Sequence, residues 1–173
     1  MGGKRTGQRN DLLLYAMSAA KVGDMTGKIL LVEDNPDDEF LALRVVKNHF
    51  GNGAIVVVRD GAEAIAYLSG TANQAFCPMT PTPDLILLDL KLPKVNGLEV
   101  LLHIGSDEKL RDIPVAILTS SDNPDDMRLS MEYGARFYLS KPLDSRQFRK
   151  VLQELRFETA TAPPLPPGVP ETP

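Results

Sequence analysis

Leu85-Ile86-Leu87-Leu88-Asp89-Leu90-Lys91-Leu92-Pro93 is the stretch on which the fold turns. Its apolar opening is too short for a helix and has no polar alternate, so it reads as a strand buried on both faces. The strand stops on a carboxylate. Three other stretches repeat this plan. Ile29-Leu30-Leu31-Val32 runs into Glu33-Asp34, Val115-Ala116-Ile117-Leu118 into Thr119-Ser120-Ser121, and Phe137-Tyr138-Leu139-Ser140 into Lys141-Pro142. With one more β-branched run, the pattern predicts strands over 29–33, 54–59, 84–89, 115–119 and 136–140, all apolar on both faces.

Helical patterns separate these runs. The stretch 36–50 opens on Asn35-Pro36-Asp37-Asp38, a capped and acidic first turn, and spaces Phe40, Leu43, Val46 and Phe50 along one predicted face. The stretch 61–68 places Ala62, Ile65 and Leu68 similarly, and 98–104, 124–133 and 145–155 complete five helices. Strands alternating with helices argue for a parallel sheet covered on both sides. The expected fold is α/β: a doubly wound five-stranded parallel sheet of order 2-1-3-4-5 with five helices, and its crevice lies where the strand order reverses.

Groups at the carboxyl ends of parallel strands meet in that crevice. Glu33, Asp34, Asp89, Thr119 and Lys141 are therefore expected together. Asp89 is placed as a nucleophile toward phosphorus. Two unit charges about 4 Å apart repel by roughly 4 kcal/mol at an effective dielectric of about 20, so three clustered carboxylates call for a counter-ion. Magnesium suits them, since it takes a few carboxylate or carbonyl oxygens and keeps room for a phosphate oxygen. The Thr119 hydroxyl and the Lys141 ammonium supply the donor and the positive charge that phosphoryl transfer needs. Lys141-Pro142 is a candidate cis peptide that would aim the lysine inward. Lys91 and Ser121, each two positions beyond a site residue, are expected to flank the path of water toward a phosphorylated Asp89.

The rest of the chain excludes other classes. It has 173 residues, a net charge of −4 and a pI near 5.2, without the basic patch that nucleic acid requires. Cys77 is the single cysteine, which rules out a disulfide framework and suits a reducing, cytoplasmic setting. His49 and His103 sit in separate helical patterns and make no metal site. No apolar run reaches the ~20 residues of a membrane span. Residues 1–27 read as a weakly ordered extension. Their Leu12-Leu13-Leu14-Tyr15-Ala16-Met17 run is too short for a signal peptide, and Met1-Gly2 with Thr6 is a chance-level match to a myristoylation pattern. Gly23 to Lys28 misses the spacing and placement of a phosphate loop. Residues 28–156 form the predicted domain, with an irregular proline-bearing connector from Gly70 to Pro83. Residues 157–173 read as a disordered proline-rich tail; Ala160 to Pro173 alone holds 6 of the 14 prolines.

Leu31-Val32-Glu33-Asp34-Asn35, Leu88-Asp89-Leu90-Lys91-Leu92-Pro93, Thr119-Ser120 and Lys141-Pro142 resemble, in order and spacing, the motifs of two-component response-regulator receiver domains. The resemblance covers about 28–156. It implies that Asp89 accepts a phosphoryl group from a histidine kinase, and that Asp34 and Asp89, with Glu33 and the backbone carbonyl of Lys91, hold magnesium. It also implies that Thr119 and Tyr138 form a switch pair which alters contacts with a downstream protein. No output domain follows Arg156, so a stand-alone regulator is expected. The Glu-Asp-Asn-Pro-Asp-Asp opening and the long connector are similar to regulators that serve bacterial phytochrome-type kinases. Such relatives often form homodimers through the fourth helix, fifth strand and fifth helix. The competing enzyme is a haloacid-dehalogenase-type phosphatase with Asp89 as nucleophile. It would need an acid two residues later, where Lys91 stands. A flavodoxin-like cofactor protein would need a phosphate loop after the first strand, and none is there.

Overall fold

The computed structural model describes residues 27–50, 54–70 and 82–156. The extension, the tail and most of the 70–83 connector lie outside them. Five strands alternate with five helices: β1 Lys28–Val32, α1 Pro36–Phe50, β2 Ala54–Val58, α2 Gly61–Leu68, β3 Leu85–Leu88, α3 Gly97–Ser106, β4 Val115–Thr119, α4 Pro124–Glu132, β5 Phe137–Ser140 and α5 Ser145–Glu154. All pairings are parallel and the order is β2-β1-β3-β4-β5, as the alternation predicts.

The pleat sends alternate residues to the two faces. On one, Ile29, Leu31, Leu85, Leu87, Ala116 and Leu118 pack against Val46 and Phe50 of α1 and Phe148, Val151 and Leu152 of α5. On the other, Leu30, Val32, Ile86, Leu88, Val115 and Ile117 meet Ala64 of α2 and Val100, Leu101 and Ile104 of α3. β1, β3 and β4 are buried almost throughout, because strands lie on both sides of each. β2 and β5 are the sheet edges. Ile55 to Val58, Phe137 and Tyr138 stay partly exposed, which corrects the expectation that all five strands are buried on both faces.

Two helix faces also differ from the expected ones. In α1 the buried stripe is Ala42, Val46 and Phe50 at i, i+4 and i+8, while Phe40 is 66% exposed. Phe40 precedes Ala42 by two residues, about 200° around a helix of 3.6 residues per turn, so it faces outward. In α2, Gly61 and Ala64 are buried and Ala62 is exposed. Gly61 seats the helix: a Cβ there would collide with the backbone carbonyl of Val95. α3 starts one residue earlier than predicted, at Gly97, where the N-cap Asn96 and Glu99 form a capping box, and it runs two residues further, to Ser106.

Candidate functional site

The register brings the strand ends together. Val32 pairs with Leu88, and the Asp89 N–H continues the ladder to the Val32 carbonyl at 3.0 Å. Glu33 donates its N–H to the Val58 carbonyl at 3.0 Å, and Lys141 donates its own to the Thr119 carbonyl at 2.9 Å. Glu33, Asp34, Asp89 and Lys141 therefore leave the sheet one or two residues beyond the last paired position, while Thr119 is the last residue of β4 and pairs with Ser140. The Lys141–Pro142 peptide is cis, as expected.

Carboxylate oxygens of Glu33, Asp34 and Asp89 lie within 4.8 Å of one another. Glu33 is fully buried, Asp89 nearly so, and Asp34 opens to solvent. Asp34 does not cap α1. That role falls to Asn35, whose Oδ1 accepts the N–H groups of Asp37 at 2.9 Å and Asp38 at 3.2 Å. Asp34 is thus left free for the crevice.

The Lys141 ammonium sits among these acids, 2.7 Å from Asp89 Oδ2, 2.7 Å from Glu33 Oε2 and 3.0 Å from Asp38 Oδ2. Its contacts with Asp89 and Asp38 are well-formed hydrogen bonds. The Glu33 contact is close but poorly angled, so this buried oxygen is ion-paired yet accepts no hydrogen bond. Burial pushes the Glu33 carboxyl up, and Lys141 only partly offsets it. Burial acts to lower the Lys141 pKa, but the hydrogen bonds to Asp89 and Asp38 and the close ion pair with Glu33 outweigh it and the ammonium is held firmly charged. Asp89 Oδ1 accepts the Lys91 N–H at 3.2 Å, and the Lys91 residue is exposed. Gly97 lets the following loop close over this point, since a Cβ there would strike the Asp89 carbonyl.

Thr119 is 1% exposed, and its Oγ1 accepts the Ser121 N–H at 3.2 Å. The Tyr138 hydroxyl donates to the Ser121 carbonyl at 3.3 Å, so one loop residue joins the expected switch pair. Burial first, then the charges of Asp126 and Asp122, raise the Tyr138 pKa. The Ser121 hydroxyl donates to Asp126 Oδ2 at 2.5 Å. It is committed to α4, contrary to the expectation that it lines the water path. Asp38 is the site residue that sequence reading missed. It stands four residues beyond Asp34, in the first turn of α1, and in the sequence is legible only as an acidic helix start.

The donor set fits a hard divalent ion: three clustered carboxylates, one with a buried oxygen lacking a hydrogen bond. Residues 29–153 match the family described as the response regulator receiver domain. Response regulator Rcp1 of Synechocystis sp. is 39% identical over 138 residues, covering 78% of this chain and 92% of its own. Among solved structures, the phosphorylated cyanobacterial phytochrome response regulator RcpA is 40% identical, with a TM-score of 0.64 over 76% of this chain and 91% of its own. The bacteriophytochrome response regulator AtBRR is 43% identical, with a TM-score of 0.67 over 76% and 94%. The manganese-bound form of Rcp1 superposes with a TM-score of 0.64 at 37% identity, over 79% and 99%. The chain belongs to the response-regulator receiver family, the phosphoacceptor proteins of two-component signalling. The match gives no support to the phosphatase alternative.

Proposed function

We propose that Asp89 is the phosphoacceptor and that its donor is the phosphohistidine of a phytochrome-type histidine kinase. The observation carrying this is the Lys141 ammonium 2.7 Å from Asp89 Oδ2, in a crevice with two further carboxylates within 4.8 Å. A carboxylate oxygen of Asp89 attacks phosphorus. The P–N bond breaks, its electron pair returns to the imidazole, and the histidine nitrogen is protonated. Lys141 turns from Asp89 to a phosphoryl oxygen, and Thr119 donates its hydroxyl to another. Burial of Glu33, Asp89 and Thr119 keeps these interactions out of bulk water, where they would be weaker.

Magnesium fits as the ion, held by Asp34 and Asp89 with Glu33 and the Lys91 carbonyl. It would neutralise the acids and the incoming phosphoryl charge. Manganese in Rcp1 supports a hard divalent ion here. The phytochrome assignment is supported by likeness to RcpA and AtBRR, whose names carry that partner. The output is a change in contacts with a downstream protein or a second copy through α4, β5 and α5, driven by Thr119 and Tyr138. A cytoplasmic setting agrees with the described residues, among which no helix is long and apolar enough to cross a membrane.

Phosphotransfer tests the donor. A purified phytochrome-type kinase core carrying labelled phosphohistidine should lose its label to this protein within minutes when magnesium is present. Retention of label on the kinase, with acetyl phosphate still phosphorylating the protein, would assign the regulator to another kinase class. Magnesium titration tests the ligands: Asp34→Ala should weaken binding more than Glu33→Ala, and the reverse order contradicts the assignment.

A further inference from the structure

We infer that Asp38 is a positioning residue that competes with the phosphoryl group for Lys141, favouring the divalent cation at the expense of the anion. The inference rests on the phosphoacceptor reading of Asp89 and deepens it. Lys141 has three hydrogens and three acidic neighbours, and two of the three contacts, to Asp89 and Asp38, have good hydrogen-bond geometry. Asp89 and Glu33 come from the sheet, whereas Asp38 reaches in from the first turn of α1. An arriving phosphoryl group displaces the Asp89 bond by taking its place. The Asp38 bond is not displaced in this way, so it withholds one ammonium proton from the phosphoryl oxygens. Its negative charge also faces the phosphoryl charge across the same ammonium.

The two effects have opposite signs. With Asp38 neutral, the crevice holds one negative charge fewer, and Lys141 is freer to pair with Asp89 and Glu33. Both changes weaken a divalent cation. Once the cation is saturating, however, the freed ammonium and the missing repulsion strengthen an anionic phosphoryl mimic. A merely structural defect would weaken both ligands together. Asp37 supplies the control. It lies in the same acidic first turn and is exposed, and its backbone N–H donates to Asn35 Oδ1. Asp37→Asn removes the same unit charge from the same helix end without touching Lys141.

The experiment measures magnesium affinity of the full chain, then beryllofluoride affinity at saturating magnesium, for wild type, Asp38→Asn, Asp38→Ser, Asp37→Asn and Asp89→Asn. Asp38 is 32% exposed, so screening limits the expected change to about three- to tenfold. Both Asp38 variants should bind magnesium that much more weakly and beryllofluoride that much more tightly. Asp37→Asn should shift either ligand less than about twofold, as expected of a screened surface charge. Thermal melting establishes that the variants are folded, and the serine variant stands in should the asparagine one fail. If Asp38 variants match Asp37→Asn, or shift both affinities the same way, the inference is wrong. If Asp89→Asn binds beryllofluoride as wild type does, the phosphoacceptor reading fails instead.

Discussion

Lys141 shows most plainly how a single residue organises the crevice. Its side chain is 9% exposed, and it neutralises a fully buried Glu33 and a 6% exposed Asp89. Removing one partner from a buried ionic cluster leaves uncompensated charge, typically at about 3–5 kcal/mol. Lys141→Met should therefore destabilise the magnesium-free protein by about that much in urea unfolding. Saturating magnesium should recover part of the loss, because the cation replaces the missing positive charge. A loss unchanged by magnesium would mean the cation does not share the acids with Lys141. At this scale the sequence is informative wherever a residue ends a strand. Glu33, Asp34, Asp89, Thr119 and Lys141 all stand there, and the parallel topology leaves them one destination. Asp38 and Ser121 were less legible, because their roles depend on where a helix start and a loop swing relative to the sheet.

The elements hold the site through their ends. Asp60 is the N-cap of α2: its carboxylate accepts the Glu63 N–H at 2.7 Å and pairs with Lys94 at 2.5 Å. Lys94 has a positive φ of 66° in the loop after Asp89, so this pair pins the loop to α2. Burial acts to raise the Asp60 pKa, but the Lys94 hydrogen bond and the helix N–H groups win and hold it below the usual carboxylate range. Lys94 is exposed and adds little alone, so Asp60→Ala should cost about 1–2 kcal/mol, the usual worth of a cap. The sign with pH follows. A depressed carboxyl contributes stability above its unfolded pKa of about 3.9 and loses it as pH falls through the folded value. The gap between wild type and variant in urea titrations should be full at pH 7 and narrow below about pH 4. A gap independent of pH would show that the Asp60 charge is not what stabilises. Element identity came readily from sequence, since alternation and caps are local. Helix faces did not: in α1, Phe40 and Val46 are both apolar, and only packing on the sheet selects the Ala42, Val46 and Phe50 stripe.

On the proposed function, the whole molecule converts a local change at Asp89 into a different surface. Thr119, Ser121 and Tyr138 are linked by two hydrogen bonds, and Ser121 is bonded in turn to Asp126 of α4. Met127 and Met131 of α4 are each 48% exposed, and a shallow groove between β5 and α5 is lined by Phe137, Gln147 and Lys150. A phosphoryl mimic that holds Thr119 biases this linked set, because its hydroxyl gains a charge-assisted bond only in that state. Sedimentation with magnesium and beryllofluoride should show a shift in self-association or in kinase affinity, and Tyr138→Phe should blunt it. Identical behaviour in both forms would count against the switch. Sheet order was legible because alternation leaves few topologies, whereas the proposed association through α4, β5 and α5 would depend on a surface that sequence patterns do not encode. All of this rests on one covalent event. Incubation with acetyl phosphate and magnesium, followed by intact-protein mass spectrometry, should add one phosphoryl group to wild type and none to Asp89→Asn. Equal labelling of the two proteins would contradict the account at its centre.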